Sequence, residues 1–173
     1  MDKKIFFALV IVCTITHIVR SVYEILKHKN KLKTNKLTFV IVFINMMLLW
    51  MSWFALCSFD VYKIPPAVIV RLLGVLISSM GLVVFLTALY TIKTLESYEG
   101  DLITKGIYSK IRHPMYLGFI LWLIGSPIFF GAIFSSVLSL IFIANVLFWR
   151  HIEEEELNNR YASYRDYKKT TIF

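Results

Sequence analysis

Two polar clusters stand out because each lies beside a long apolar segment. The first is Arg112-His113-Pro114-Met115-Tyr116-Leu117-Gly118, and the second is the acidic run Glu153-Glu154-Glu155-Glu156, about forty residues later. Charged groups next to membrane spans are costly, so they usually serve a function. A cation and an imidazole suit an anionic ligand, whereas carboxylates suit hydroxyl groups or a cation. If one apolar hairpin joins the clusters, they meet at one membrane face and form a candidate enzyme site.

The first cluster predicts a helix that begins at Pro114, because the missing backbone donor of proline is harmless in the first helical turn. The residue before a proline avoids helical backbone angles, so His113 is expected to be extended, with its side chain free to enter a pocket. Backbone donors at a helix start, together with Arg112 and His113, would bind an anion such as a carboxylate. Tyr116 offers a hydroxyl or a stacking face, and Gly118 permits close backbone approach. Alternatively, Arg112 and His113 only mark the membrane boundary.

The second cluster predicts the start of an amphipathic tail helix, because acidic residues favour a helix N-terminus. Tyr161, Tyr164 and Tyr167 follow at three-residue spacing, as expected of a helix that lies back on the bundle. Carboxylates in that position would accept hydrogen bonds from a ribose or pair with a cationic group. The alternative is a solvated charged face, which is the usual role of a charge run.

The segments that must position these clusters are apolar. Hydrophobic residues make up 58% of the 173-residue chain and its mean hydropathy is +0.68, which a soluble globular protein does not show. We predict an all-α integral membrane protein with about five transmembrane helices, the last two a short helical hairpin, and a C-terminal cytosolic amphipathic helix. The apolar spans cover residues 4–26, 37–59, 66–92, 114–130 and 132–149.

The whole chain, residues 1–173, is predicted to form a single membrane-embedded domain. Its parts are three N-terminal spans within residues 1–92, a cytosolic loop at 93–113, the helical hairpin at 114–149 and a cytosolic tail at 150–173. Helical spacing also places His17, Arg20 and Glu24 near one face of the first span. They contribute either to an acceptor tunnel or its gate, or to a polar contact between helices. Gly74 to Gly81 predicts a close-packing seam.

The net charge of +8 does not indicate a nucleic-acid partner, because the basic residues lie mostly in loops beside the spans. That placement favours membrane orientation and contact with anionic membrane lipids. One side is predicted to carry fourteen basic residues against three on the other, so the N-terminus is expected outside and the C-terminus and both clusters in the cytosol. The fourteen are Lys27, Lys29, Lys31, Lys33, Lys36, Lys93, Lys105, Lys110, Arg112, Arg150, Arg160, Arg165, Lys168 and Lys169, and the three are Lys3, Lys4 and Lys63.

The order of motifs resembles the isoprenylcysteine carboxyl methyltransferase family. The resemblance rests on Gly106-Ile107-Tyr108, the segment from Arg112 to Gly118, the apolar hairpin, and Arg150 with the Glu run. It implies a membrane enzyme that binds S-adenosyl-L-methionine at its cytosolic face. Spacing to the tail favours the pair Glu153-Glu154 for the cofactor, whereas the distance from Arg150 favours Glu154-Glu155. The implied cofactor-binding residues are His113, Pro114, Tyr116, Gly118, Glu153, Glu154 and Glu155.

The resemblance implies methyl transfer to a lipophilic small-molecule or prenylated acceptor, as O-methylation of a carboxylate or a hydroxyl group. A carboxylate is ionised at neutral pH and needs no general base, and the sequence shows no ligand cluster for a metal. We expect Arg112 or Arg150 to act catalytically by orienting the acceptor. Three alternatives are open: a phospholipid N-methyltransferase, an NADPH-dependent membrane reductase and a non-enzymatic membrane scaffold.

Overall fold

A computed structural model describes residues 3–29, 31–32, 35–92 and 100–173. Across these ranges the chain is helical, and its only extended pairings are two isolated bridges. The predicted all-α fold is therefore confirmed. Lys33 lies outside the described residues, and so do the first seven residues of the predicted cytosolic loop, which begin with Lys93. The helices are α1 (Lys3–His28), α2 (Lys36–Phe59), α3 (Val68–Ile92), α4 (Pro114–Phe130), α5 (Ile133–Arg160) and α6 (Tyr164–Thr170), with a 3₁₀ helix at Gly106–Ser109.

Five of these helices correspond to the predicted spans. Among the described residues, α1, α2, α3 and α5 are long and apolar enough to cross a membrane. Helix α4 has 17 residues, which is at the lower limit of about 17 for a spanning helix. Large apolar side chains such as Met51, Val68 and Val83 are exposed on the outer faces of the bundle. Such extensive apolar exposure fits contact with lipid, and the chain is a multi-pass membrane protein.

The prediction that the acidic run begins a new helix is wrong. Helix α5 continues through Glu153–Glu156 and ends only at Arg160, and the separate tail helix α6 has seven residues. Glutamate is a good helix former, and Lys27 of α1 lies 3.8 Å from Glu156. Nothing therefore interrupts the helix where it leaves its apolar segment at Trp149. The acidic residues project from the last turns of a long, rigid helix.

Helices α3 and α4 pack against each other through glycines, as the sequence predicted for the seam from Gly74 to Gly81. A Cβ atom added to Gly81 would lie 2.6 Å from the carbonyl oxygen of Gly118, and one added to Gly74 would lie 2.5 Å from the backbone nitrogen of Phe129. Real Cβ atoms do not approach other atoms so closely, so the two backbones touch directly. This contact fixes the start of α4, where His113 lies.

Two connections close the end of the bundle opposite the polar clusters. The Asp60 carboxylate accepts hydrogen bonds of 2.7 Å from both the backbone N–H and the hydroxyl of Ser135, and one of 2.8 Å from the N–H of Tyr62. The N–H of Ile64 donates to the carbonyl of Gly131 at 3.0 Å. The α2–α3 and α4–α5 connections therefore meet at this end. The end of α1, the start of α4 and the end of α5 lie together at the other.

Gly81→Leu is expected to destabilise the protein by about 2 kcal/mol or more, because overpacking a close contact typically has an effect of this size. The melting temperature of the purified protein in detergent should fall by about 4 °C or more. Val83→Leu on the same helix is the control, since Val83 is exposed to lipid. An unchanged melting temperature for Gly81→Leu would contradict the direct backbone contact.

Candidate functional site

The two polar clusters meet at the carboxylate of Glu154. Its Oε1 lies 3.4 Å from Nε of Arg112 and 3.5 Å from Nε2 of His113. Its Oε2 accepts a hydrogen bond of 2.7 Å from Nζ of Lys168. One buried carboxylate thus joins α5, the start of α4 and the tail helix. The hairpin brings the clusters together, as the sequence predicted.

His113 has the predicted local geometry. Its backbone angles, φ −123° and ψ 61°, are not helical, and Pro114 follows at the first position of α4. The His113 side chain is buried, with the Tyr164 hydroxyl 3.3 Å from Nε2 and a Glu153 oxygen 3.9 Å from Nδ1. Pro114 restricts the backbone of His113, and the acidic end of α5 contacts the His113 imidazole ring. Both ring nitrogens therefore face polar partners.

The tail occupies the donors that were predicted to bind an anion. Nη1 of Arg112 donates to the carbonyl of Thr171 at 2.5 Å and to that of Lys168 at 3.2 Å. The backbone N–H groups of Arg112 and His113 donate to the carbonyls of Ile172 and Phe173 at 3.0 and 3.3 Å. In this arrangement Arg112 holds the tail against α4. No local sequence feature indicated these partners.

Arg150 lies beside the same tail. Its guanidinium group lies 4.8 Å from the centre of the Phe173 ring. Its Nε is buried and has no hydrogen-bond partner among the residues that the structure describes. Arg112 and Arg150 are therefore both in contact with the last residues of the tail. An acceptor carboxylate would bind Nη1 of Arg112 or the face of Arg150 only if these residues moved.

A cleft opens beside this junction, between the acidic end of α5, the tail helix and the segment after residue 100. Its volume is about 90 Å³, below the roughly 300 Å³ of a typical small-molecule pocket. A cofactor of nucleoside size therefore requires the tail or the segment after residue 100 to shift outward. The lining residues are Lys27, Ile92, Asp101, Leu102, Ile103, Tyr108, Arg112, Glu153, Glu156, Leu157, Arg160, Tyr161 and Tyr167.

The four glutamates have different surroundings, because successive helical residues point about 100° apart. Glu153 and Glu156 line the cleft, whereas Glu154 points into the junction described above. Glu155 is half exposed and faces His28 at 3.6 Å and His151 at 3.3 Å. Sequence reasoning named Glu153, Glu154 and Glu155 but missed Glu156. The three-residue spacing of Glu153 and Glu156, which share a helix face, was the available signal.

Three tyrosines supply the aromatic wall of the cleft. The Tyr167 hydroxyl donates to the Tyr108 carbonyl at 2.5 Å, and the Tyr161 hydroxyl donates to the Gly100 carbonyl. Burial raises the pKa of Tyr167 to about 12. Burial, followed by the nearby charge of Glu153, raises the pKa of Tyr108 well above its ordinary value. The phenols of Tyr108 and Tyr167 therefore stay protonated at neutral pH and act as neutral donors or stacking faces.

Tyr116 and Gly118 lie in different places. The Tyr116 hydroxyl is within electrostatic range of Glu153, and its ring centre is 5.9 Å from that of His113. Gly118 faces α3, where an added Cβ atom would lie 2.6 Å from the Gly81 carbonyl oxygen. Tyr116 therefore belongs to the polar junction, whereas Gly118 belongs to the helix seam.

Comparisons with known proteins agree with this geometry. The model of the isoprenylcysteine carboxyl methyltransferase family matches residues 67–159, which is more than half of the chain and includes both polar clusters. Protein-S-isoprenylcysteine O-methyltransferase of Schizosaccharomyces pombe is 43% identical over 37 residues, which make up 21% of this chain and 16% of that protein. The aligned segment is thus a small part of that relative's length. No solved structure matches the chain.

Proposed function

This chain belongs to the isoprenylcysteine carboxyl methyltransferase family, and we propose that it transfers a methyl group from S-adenosyl-L-methionine to the carboxylate of a lipophilic, prenylated acceptor. A hydroxyl group on a lipid-like molecule is the second acceptor that the same chemistry allows. The observation that carries the proposal is the meeting of both polar clusters at Glu154, beside a cleft lined by Glu153 and Glu156.

The residues around the cleft fit a cofactor that is cationic and carries a purine ring. Glu153 and Glu156 supply negative charge, and the rings of Tyr108, Tyr161 and Tyr167 supply stacking faces. When bound, the cofactor supplies a methyl group on a positively charged sulfur: an acceptor oxygen forms the new C–O bond while the C–S bond breaks and its electron pair stays on sulfur. The acceptor carboxylate is already ionised, so no side chain has to remove a proton.

The protein's contribution is therefore to position the reactants and to exclude water. We assign the polar part of the cofactor to Glu153 and Glu156, with His113 and Tyr116 orienting Glu153. Glu154 holds α4, α5 and the tail together. Pro114 and Gly118 act indirectly, because Pro114 sets the start of α4 and Gly118 sets the packing of α4 on α3.

Arg112 and Arg150 keep their proposed role in orienting the acceptor, which requires the covering tail residues to move. The excess of basic residues at this end of the bundle favours a cytosolic location for the site and an outside location for the N-terminus. The lipid part of the acceptor would then arrive laterally from the bilayer.

The proposal is tested by two measurements on the purified protein in detergent. We expect S-adenosylhomocysteine to bind, and labelled methyl groups from S-adenosyl-L-methionine to appear as an ester on a prenylated cysteine with a free carboxylate. The same prenylated cysteine as its amide, and cysteine without a prenyl group, are the matched controls and should stay unlabelled.

Other outcomes would overturn the proposal and identify an alternative. Label on a phospholipid amine would indicate an N-methyltransferase. Binding of NADPH without binding of S-adenosylhomocysteine would indicate a reductase. Binding of neither would favour a membrane scaffold.

A further inference from the structure

Helix α1 carries a polar cluster of its own, formed by Arg20 and Glu24. Arg20 forms an ion pair with Glu24 one turn later, and their side chains are only 11% and 7% exposed. Arg20 lies eight residues before the end of α1 at His28, which is about 12 Å along the helix at 1.5 Å per residue. Arg20 therefore lies inside the apolar part of the bundle, and Glu24 lies one turn closer to its polar end.

Two nitrogens of the Arg20 guanidinium group have no hydrogen-bond partner among the described residues. Glu24 engages Nη2, whereas Nε and Nη1 are buried and have no hydrogen-bond partner within the described part of the chain. Buried charged donors without partners are strongly unfavourable. The guanidinium carbon lies 5.2 Å from the centre of the Tyr23 ring and 6.0 Å from that of Trp149. Ring faces hold the cation in place but do not satisfy its N–H groups.

The backbone that carries Arg20 is fixed to α5 by a hydrogen-bond network. The indole N–H of Trp149 donates to the Ser21 hydroxyl at 2.9 Å, and Nδ2 of Asn145 lies 3.1 Å from Nδ1 of His17. The His17 ring also stacks on Phe142, with ring centres 3.9 Å apart. The network explains the buried His17 as a contact between helices. It also holds Arg20 in position before any ligand binds, so less entropy is lost on binding.

The same pair interacts electrostatically with the methyl-transfer site. Arg20 and Glu24 are within electrostatic range of the Tyr116 hydroxyl, as is Glu153. Glu24 also interacts electrostatically with Lys27, Glu153 and Glu156, which line the cleft. Tyr116 and Glu24 therefore connect Arg20 electrostatically with the glutamates of the cleft.

We propose that Arg20 binds the anionic head of the acceptor, and that α1 thereby selects lipophilic carboxylates for the reaction. This role rests on the proposed methyl transfer. Arginine stays charged when buried and its N–H groups pair strongly with carboxylate oxygens. Nε and Nη1 are the free donors that such oxygens would satisfy. A hydrocarbon tail attached to that head would remain among the apolar side chains of the bundle or in lipid.

Arg20→Met and Arg20→Lys test the assignment. For Arg20→Met we expect the KM of a prenylated cysteine with a free carboxylate to rise about tenfold or more, which is the effect of losing one hydrogen bond to a charged group. The Kd of S-adenosylhomocysteine should change by less than about twofold, and Arg20→Lys should recover part of the loss because it keeps the charge. Arg71→Met is the control, because Arg71 is an exposed arginine near the other end of the bundle.

A selectivity measurement separates binding from a merely structural role. The wild type should bind the carboxylate form of the prenylated cysteine more tightly than its amide, and Arg20→Met should lose that preference. An unchanged KM and an unchanged preference in both variants would overturn the proposal. So would equal losses of acceptor binding, cofactor binding and melting temperature in Arg20→Met and Arg20→Lys, because they would show a role in folding alone.

Direct binding of the carboxylate ligand, measured without cofactor, distinguishes this proposal from the proposed function. If the wild type binds the ligand through Arg20 but transfers no methyl group, the proposed function fails and the anion site stands. If methyl transfer occurs with the same KM in Arg20→Met, the enzyme assignment stands and the role of Arg20 fails.

Discussion

Arg112→Ala is expected to release the tail from α4 and to speed hydrogen exchange of the tail amides about 100-fold. The Arg112 side chain donates to the carbonyls of Thr171 and Lys168 and lies against Glu154. Hydrogen bonds to charged groups contribute about 1.5–3 kcal/mol each, so losing two of them corresponds to at least about 3 kcal/mol, or roughly 100-fold. Hydrogen exchange of the amides in residues 164–172 measures this release.

Arg165→Ala is the matched control for this variant. Arg165 lies in the same tail helix and is exposed, and its contact is a hydrogen bond of 3.4 Å to Asn158. Its removal takes one cation from the tail without touching α4, so the exchange rates of the tail amides should change by less than about twofold. If Arg112→Ala retained slow exchange in the tail, Arg112 would only mark the membrane boundary.

The spans were predictable because a helix in lipid must satisfy every backbone polar group internally. Long apolar runs therefore leave little choice of structure, and α1 to α4 begin and end within two residues of the predicted bounds. Pro114 correctly predicted the start of α4, because proline favours the first helical turn. The end of α5 was not predictable in this way, because Glu153–Glu156 are compatible with both a helix start and a helix interior.

That one ambiguity explains why the glutamates now proposed for the cofactor differ from those predicted. Once α5 is known to be continuous, its periodicity places Glu153 and Glu156 together and turns Glu155 away. Without that knowledge, spacing to neighbouring motifs favoured Glu154 with either neighbour. The partners of Glu154 and Arg112 in the tail, Lys168 and Thr171, come from tertiary packing. Neither residue lies in a pattern that marks it in the sequence.

Three glutamine substitutions therefore distinguish the roles of neighbouring glutamates. Glu153→Gln is expected to weaken S-adenosylhomocysteine binding roughly 10- to 100-fold, because it removes a charged acceptor that lines the cleft, with little change in melting temperature. Glu155→Gln is the matched control, since Glu155 is half exposed and its ion-pair partners among the described residues are His28 and His151. It should leave both quantities unchanged. Calorimetry and thermal unfolding of the three variants in detergent provide the measurements.

Glu154→Gln should behave differently from both. Glutamine keeps the shape of the side chain but loses the charge that faces Arg112, His113 and Lys168. Removing one partner from such a buried cluster leaves the cations uncompensated and is strongly destabilising. We therefore expect a lower melting temperature and faster hydrogen exchange in the tail, with weaker cofactor binding as a consequence. If Glu153→Gln and Glu154→Gln instead gave the same thermal and binding profile, the division between a cofactor-binding face and a structural junction would be wrong. The acidic end of α5 would then act as a single unit.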